Sequence, residues 1–344
     1  MELDDLLNRL RQGDDRALAR ALTLVESQGP DARDIVSRIF AESGSAIVVG
    51  LTGPPGVGKS TLADALAREA RKAGRKVAIL AIDPTSPVTG GALLGDRARM
   101  ASDSSTFIRS MATRGHVGGL AGAAFESLIL LEASGKDLIL LETVGSGQDE
   151  VEVAAAADVT LLVLAPGLGD EVQAAKSGIL EVADILVANK SDREGADLLV
   201  QELNGIAGDR AVVTTIATQG GGVANLLSDV LRLGGKRAPD RDRRLMEVWL
   251  WNVLQKMLRD RIPPAAWDEA VEGLVARKRT PYEVARELLK GASRLMKNHV
   301  QPARAETARP GGSGRAEGAD PRESGRPPRA KSDGSEPSEE RGEN

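Results

Sequence analysis

The sequence contains no cysteine, only two histidines (His116 and His299), and aromatic residues at only 2% of its 344 positions. Without cysteine there can be no disulfide and no thiolate metal site, and two histidines do not by themselves make a transition-metal centre. Because aromatic residues are scarce, Leu, Val, Ile and Ala must pack the core. No apolar run approaches the roughly 20 residues that are needed to span a bilayer.

Positive charge is not in excess either. The formal net charge is -5 and the pI is about 5.4, which gives no electrostatic footprint for nucleic acid or for an anionic membrane. The first ten residues, MELDDLLNRL, are acidic and amphipathic, unlike a secretory signal. We therefore expect a cytoplasmic protein that binds neither nucleic acid nor membrane.

Short, nearly continuous apolar runs recur through the middle of the chain, and each is followed by a glycine-rich loop or a helical pattern. They lie at 46–51, 77–82, 138–141, 159–164, 185–189 and 211–215. Strands that helices bury on both faces have this pattern. The sequence therefore predicts an α/β fold with a mostly parallel central sheet flanked by helices.

A phosphate-binding loop follows the first of these runs. The stretch GPPGVGKS matches the G-x-x-x-x-G-K-[ST] pattern and leads directly into a helical pattern, a context that an ordinary glycine-rich turn lacks. Lys59 is predicted to bridge the β- and γ-phosphates, Ser60 to bind Mg²⁺ and Thr61 to reach the α-phosphate. The predicted phosphate-loop residues are Gly53, Pro55, Gly56, Val57, Gly58, Lys59, Ser60 and Thr61. The loop predicts a P-loop NTPase.

The base of the bound nucleotide is predicted from the N-K-x-D element at 189–192. The carboxylate of Asp192 can accept the two N–H donors of the guanine edge, whereas adenine presents the opposite pattern there. Asn189 would brace the loop, the stem of Lys190 would lie over the ring, and Ala217 would donate its backbone N–H to the guanine oxygen. Four residues are a weak signal alone, but their place after a late strand favours guanine over a simple polar turn.

Three acids are candidates for the metal and the attacking water. Asp83 follows the second apolar run, Asp96 follows a Gly-Gly loop, and Glu142 stands where most nucleotide switches have Asp. A helix cap is the alternative role for Asp83 and for Asp96. The longer Glu142 can reach the metal through a bound water, and the N–H of Gly145 can sense the γ-phosphate. Because Ser146 replaces the usual water-positioning glutamine, we expect slow hydrolysis until a second surface completes the site.

Several longer segments, read in order, resemble the MeaB/ArgK-like family of methylmalonyl-CoA mutase-associated GTPases. They are GLTGPPGVGKSTL, AIDPTS, GGALLGDRARM, FIRSMATRGHVGGLA, LLETVGSGQDEVEVA, APGLGDEVQAAKSGILEVAD and ANKSD. The resemblance implies a homodimeric GTPase that uses Mg²⁺ with GTP or GDP. Its partner would be an adenosylcobalamin-dependent acyl-CoA mutase, which it loads from an adenosyltransferase, protects and reactivates. No tightly bound cobalamin is expected on this chain.

The resemblance also assigns residue roles. Lys59, Asp96 and Glu142 would be catalytic, and the metal set would be Ser60, Asp83, Asp96 and Glu142. A further switch would report the nucleotide state to the mutase through Gly167, Asp170, Glu171, Gln173 and Lys176. Here Ser177 follows Lys176 where family members often carry paired lysines, a departure that bears on partner coupling and not on nucleotide binding.

Four regions are predicted along the chain: an N-terminal helical extension at 1–43, a GTPase domain at 44–236, a C-terminal helical dimerisation arm at 237–300 and a disordered tail at 301–344. Trp249 and Trp251 lie on a helical pattern and are expected in core or dimer packing. Arg109 has two open roles, a phosphate contact across a dimer or an ordinary salt bridge.

Two other functions stay open at this level. One is a kinase of a small molecule or of a transport protein, although the chain has no dedicated substrate domain and its N-K-x-D element disfavours ATP. The other is a metallochaperone GTPase for a different metalloenzyme, which usually needs the Cys or His ligands that are missing here.

Overall fold

The computed structural model describes residues 2–27, 29–83, 106–112, 119–143, 156–167, 179–235 and 239–299. Seven parallel strands form one sheet in the order β3-β2-β4-β1-β5-β6-β7. The strands are β1 Ile47–Thr52, β2 Val77–Asp83, β3 Phe107–Ala112, β4 Leu138–Thr143, β5 Val159–Leu164, β6 Ile185–Asn189 and β7 Ala211–Thr215. The predicted α/β fold with a parallel sheet is confirmed.

Helices precede, connect and follow the strands. They are α1 Leu3–Arg11, α2 Asp15–Glu26, α3 Pro30–Ile39, α4 Lys59–Lys72, α5 Gly119–Ala133, α6 Ile179–Val182, α7 Ala196–Ile206, α8 Val223–Gly234, α9 Pro239–Arg259, α10 Pro264–Val275 and α11 Pro281–His299. A short 3₁₀ turn, Phe40–Glu42, follows α3. The described residues from 2 to 296 belong to one compact unit. Within the described ranges, no helix is long and apolar enough to cross a bilayer.

The central strands β1, β5 and β6 are nearly continuously apolar because both faces of the sheet are covered there. In β1, Val48 packs into a cluster with α1, α2, α3 and α5, whereas its neighbour Val49 packs into a cluster with α4 and α8. Both side chains are almost fully buried, at 4% and 0% exposure. Successive side chains of a strand point to opposite faces, so most positions of a strand between two helical layers are apolar.

Aspartates fix the amino edge of the sheet, where the strands begin. Asp137, Asp158 and Asp184 each stand one residue before a strand, at β4, β5 and β6. Their carboxylates accept hydrogen bonds from the backbone N–H groups of Lys76 (2.8 Å), Val48 (2.8 Å) and Thr160 (2.7 Å). Each carboxylate thus pins its strand to a neighbour in the sheet.

The edge strand β3 was not predicted as a strand from its pattern. Its sequence, FIRSMA, places Arg109 and Ser110 in the middle, because an edge strand is buried less completely than a central one. Arg109 forms an ion pair with Glu26 of α2 and donates to the hydroxyl of Thr23 at 3.1 Å. Of the two roles that the sequence left open for Arg109, the structure shows the salt bridge.

The C-terminal helices expose many apolar side chains. Trp249 of α9 packs against Phe40, with ring centroids 5.4 Å apart, and Arg33 pairs with Asp260 just beyond α9. In contrast, Trp251 is 62% exposed. The boundaries of the four predicted regions and the dimerisation role of these helices remain predictions.

Candidate functional site

The phosphate loop lies at the carboxyl edge of the sheet, between β1 and α4. Two glycines allow its path. Gly53 has φ 132°, and a Cβ there would lie 2.1 Å from the carbonyl oxygen of Val163 on β5. Gly58 has φ 96°, and a Cβ there would lie 2.7 Å from Nδ2 of Asn189. No other residue type fits at either position, because the loop crosses β5 and the 189–192 element at van der Waals distance.

Two side chains of the N-K-x-D element hold the carbonyl groups of this loop. Nδ2 of Asn189 donates to the carbonyl oxygen of Val57 at 2.9 Å, and Nζ of Lys190 donates to that of Gly56 at 2.6 Å. In a trans peptide the following N–H points the opposite way. The N–H groups of Gly58 and Val57 are thereby turned away from these donors, to the side on which a phosphate would be held.

Lys59, the first residue of α4, is buried at 6% exposure. Its Nζ donates to the carbonyl oxygens of Gly53 (2.5 Å) and Pro54 (2.9 Å). Both carbonyls precede a proline, so the peptides concerned carry no N–H that could repel the ammonium. The loop therefore holds a positive charge at its centre, next to the N-terminus of α4, whose partial charge is also positive.

Ser60 and Glu142 come together from different elements. The hydroxyl of Ser60 donates to Oε1 of Glu142 at 2.5 Å, and Glu142 is 3% exposed. β4 lies beside β1 with Glu142 opposite Leu51, which sets its carboxylate next to the start of α4. A hydroxyl and a carboxylate oxygen in contact are the ligand types that Mg²⁺ takes in phosphate-loop proteins, directly or through water.

Asn189 joins three parts of the site. Besides its bond to Val57, its Oδ1 accepts from the hydroxyl of Thr215 at 3.0 Å and from the N–H of Ala217 at 3.3 Å. Thr215 was not among the predicted residues; its only signal was its position at the end of the last strand. We call this set of contacts the Asn189 bracket. It ties the loop after β6 to the phosphate loop and to the loop after β7.

The remaining predicted residues divide by what the structure describes. Thr61 lies in the first turn of α4, Asp192 is exposed in the turn after β6, Gly167 has φ 91° after β5, and Asp83 ends β2, with only its backbone described. Asp96, Gly145, Asp170, Glu171, Gln173 and Lys176 lie outside the described residues. Among the described residues no group of three or more Asp, Glu or His is placed to hold a metal, so Ser60 and Glu142 are the described part of the predicted metal set.

Known proteins with similar sequences point to one family. The model of the family described as methylmalonyl-CoA mutase-associated GTPase MeaB matches residues 18–265. A putative GTPase of Pyrococcus abyssi is 43% identical over 311 residues, covering 84% of this chain and 96% of that protein. The mouse mitochondrial methylmalonic aciduria type A homolog is 34% identical over 293 residues, covering 74% of this chain and 69% of that protein.

A solved structure agrees in fold. The crystal structure of a LAO/AO transport system kinase matches with a TM-score of 0.60 and 26% identity, covering 86% of this chain and 97% of that one. The family model spans most of the chain, including the phosphate loop, Glu142 and the Asn189 bracket. The chain therefore belongs to the methylmalonyl-CoA mutase-associated GTPase (MeaB) family, and the GTPase activity expected from its motifs is the activity of that family.

Proposed function

We propose that this GTPase times the loading, protection and reactivation of an adenosylcobalamin-dependent acyl-CoA mutase in the cytoplasm. The nucleotide is GTP, and its hydrolysis limits how long the chain and the mutase stay in one state. Methylmalonyl-CoA mutase is the first candidate client, because the family is described by its association with that enzyme. The observation that carries the nucleotide part is the Asn189 bracket, which joins the guanine loop to the phosphate loop.

The bracket supports guanine for a geometric reason. Asn189 fixes the turn in which Asp192 follows, and the same amide fixes the N–H of Ala217. Asp192 can then accept the two donors of the guanine edge, while the Lys190 stem lies over the base. Adenine presents the opposite pattern at the edge that Asp192 reaches, and a donor where guanine has its oxygen. The contacts with Asp192 and with the Ala217 N–H therefore favour guanine, whereas the Lys190 stem would lie over either base.

The charges of the site support the phosphate part. Lys59 neutralises the β- and γ-phosphates once it leaves the carbonyls of Gly53 and Pro54, and the N–H groups of Val57 and Gly58 donate to phosphate oxygens. Ser60 and Glu142 are the described residues that would hold Mg²⁺, directly or through water. A Mg²⁺ ion held by these residues would neutralise charge that develops on the phosphates during transfer.

Completion of the catalytic site is the step that a partner would supply. Ser146 stands at the position that a water-orienting glutamine would occupy, so we expect a second surface to supply that group. The segment 167–176, with Gly167, Asp170, Glu171, Gln173 and Lys176, is proposed to carry the nucleotide state to the mutase. An adenosyltransferase would deliver the cobalamin, and this chain would hold none tightly.

Homodimerisation is part of the proposal and rests on the exposed face of α10. Trp267, Val271 and Val275 are spaced four residues apart, so they form one stripe along the helix. Their exposures are 47%, 41% and 79%, which is unusual for large apolar side chains in a row. A second copy of the chain would bury this stripe.

The kinase alternative is favoured only by the name of one structural relative. That description names a transport system kinase and belongs to that protein. The element at 189–192 suits guanine, and the metallochaperone alternative likewise gains no support from a metal cluster among the described residues.

The test is GTP turnover by the purified full chain, alone and mixed with each cobalamin-dependent acyl-CoA mutase from the same source. We expect slow turnover alone and a rise with one mutase. Lys59→Ala serves as the blank, because it removes the charge that faces the phosphates. If no mutase changes the rate of GTP turnover, the proposed client is wrong, although the chain would still be a GTPase.

A contaminating GTPase in a mutase preparation is excluded with a variant of this chain that uses a nucleotide with a different base. Asp192→Asn should shift preference from GTP to xanthosine triphosphate, since xanthine presents an acceptor where guanine has its amino group. Stimulation is then measured as xanthosine triphosphate turnover by the variant with the mutase. If the variant keeps its preference for GTP, the guanine assignment of Asp192 is wrong.

A further inference from the structure

Beyond the nucleotide site, a recess lined by positive charge lies at the opposite end of α4. It has a volume of about 490 Å³, in the range of small-molecule sites. Gly74 and Val77 contribute to its wall, and all its other lining residues are basic. These are Arg68, Arg71, Lys72, Arg75, Lys76 and Lys136. We call it the basic recess. Such a concentration is unexpected in a chain whose net charge is -5.

The spacing along the helix explains how the charges converge. Arg68 and Arg71 are three residues apart on one face of α4, and Arg75 follows in the turn after the helix. Like charges at this spacing repel each other and destabilise the helix slightly. An anion in the recess would relieve that repulsion.

Some of the positive charge is already neutralised and some is not. Arg68 pairs with Asp64 at 3.3 Å, Lys72 with Glu69 at 2.9 Å and Lys136 with Asp15 at 2.8 Å. Within the part of the chain that the structure describes, neither Arg75 nor Lys76 forms an ion pair or a side-chain hydrogen bond. At least two positive charges in the recess therefore lack an acidic partner there.

The backbone of the recess is fixed in advance. The N–H of Gly74 donates to the carbonyl oxygen of Arg71 at 2.8 Å, and the N–H of Arg75 donates to that of Ala70 at 3.1 Å. These bonds satisfy two carbonyls at the end of α4 and so reduce, without removing, the negative partial charge that this helix end sets against an anion. Asp137 holds the next residue, because its carboxylate accepts from the N–H of Lys76 at 2.8 Å.

We propose that the basic recess binds a small, multiply charged phosphate anion. Guanidinium groups match phosphate oxygens in a fork geometry, and three of the six basic residues are arginines. The wall offers no aromatic surface on which a base could stack, which favours a simple phosphate or diphosphate group over a nucleotide. A phosphorylated lipid headgroup shares this chemistry. We commit to the free anion, because the only apolar residue in the wall, Val77, is buried and cannot enter a bilayer.

The test uses inorganic pyrophosphate as the probe and the full chain loaded with one equivalent of GDP. Calorimetry at low salt should give saturable binding at one site, weakening as NaCl is added. Arg75→Gln/Lys76→Gln should weaken binding about tenfold or more, because both side chains would donate charge-assisted hydrogen bonds to the anion. GDP retained after desalting shows that pyrophosphate has not entered the phosphate loop.

The matched control is Arg277→Gln/Lys278→Gln. It removes the same two charges from another exposed turn, between α10 and α11, and should leave pyrophosphate binding unchanged. Equal weakening in both variants, or no saturable binding in the unaltered chain, would overturn the proposal. Phosphatidylcholine vesicles containing phosphatidic acid test the lipid source. Cosedimentation that depends on Arg75 and Lys76, without pyrophosphate binding, would also overturn it.

Discussion

The hydrogen bonds that side chains make to the backbone differ between the strand starts at one edge of the central sheet and the phosphate loop at the other. At the amino edge, the carboxylates of Asp137, Asp158 and Asp184 accept hydrogen bonds from backbone N–H groups, so these donors are occupied. At the carboxyl edge, the side chains of Asn189 and Lys190 donate hydrogen bonds to backbone carbonyls of the phosphate loop, so these acceptors are occupied. The first arrangement closes the backbone at its end of the sheet. The second leaves the N–H side of the phosphate loop for an anion, so one edge stabilises the fold and the other binds.

Lys59→Ala should have the largest effect on binding. It removes the one ammonium at the centre of the phosphate loop, and GTP affinity should fall about a hundredfold, the upper end for a hydrogen-bonded charge. The measurement is titration with a fluorescent GTP analogue. Lys72→Ala, at the other end of α4, is the matched control and should bind GTP normally. Retained affinity in Lys59→Ala would contradict the assignment of this loop.

Asn189→Ala should come next, because it removes the Asn189 bracket. GTP affinity should fall about tenfold and the free energy of unfolding by about 1–3 kcal/mol, since Val57, Thr215 and Ala217 each lose a buried partner. Nucleotide titration and urea unfolding measure the two effects. Asn204→Ala, on the exposed face of α7, should change neither. A loss of stability without a loss of affinity would separate the bracket from nucleotide binding.

Asp158→Ala tests the other edge. The N–H of Val48 loses its acceptor, so the free energy of unfolding should fall by about 1–2 kcal/mol. GTP turnover per folded molecule should stay the same, because β5 enters the sheet far from the phosphate loop. The comparison protein is Asp209→Ala, in the exposed loop before β7. If turnover falls in step with stability, the two edges are not independent.

Glu126→Gln, in the helical layer away from both edges, should have the smallest effect. Burial raises the pKa of the Glu126 carboxyl, while Lys256 and Arg33 lower it less. A raised pKa means that this carboxyl favours the folded state in acid and that this contribution is lost as pH rises through its folded pKa. The Gln variant should therefore unfold at a slightly higher temperature at pH 7, and the difference should vanish below about pH 4.5.

Thermal unfolding across this pH range is the measurement, with Glu272→Gln on the exposed side of α10 as control. A Gln variant that is less stable than the unaltered chain at pH 7 would mean that the attraction of Lys256 and Arg33 outweighs burial.

The sequence predicts the central strands well because their apolar runs are continuous, and it predicts the phosphate loop because a strand, glycines and a helix occur in fixed order. β3 escapes prediction because Arg109 interrupts its run, and that arginine is there to pair with Glu26 across 83 positions of sequence. The Asn189 bracket could be predicted from the sequence only in part. Asn189 belongs to a motif, whereas Thr215 and the carbonyl of Val57 are brought to it only by the strand order. The roles of Asp83, Asp96 and Gly145 stay predictions.

The Asn189 bracket also affects how long a nucleotide stays bound. One amide holds the loop after β6 and the phosphate loop together, so these two parts of the pocket need no ordering relative to each other when a nucleotide binds. A ligand that spans both loops then leaves only when both contacts fail together. GDP should accordingly stay bound long after hydrolysis, and a partner that draws Asn189 away from Val57 would speed its release.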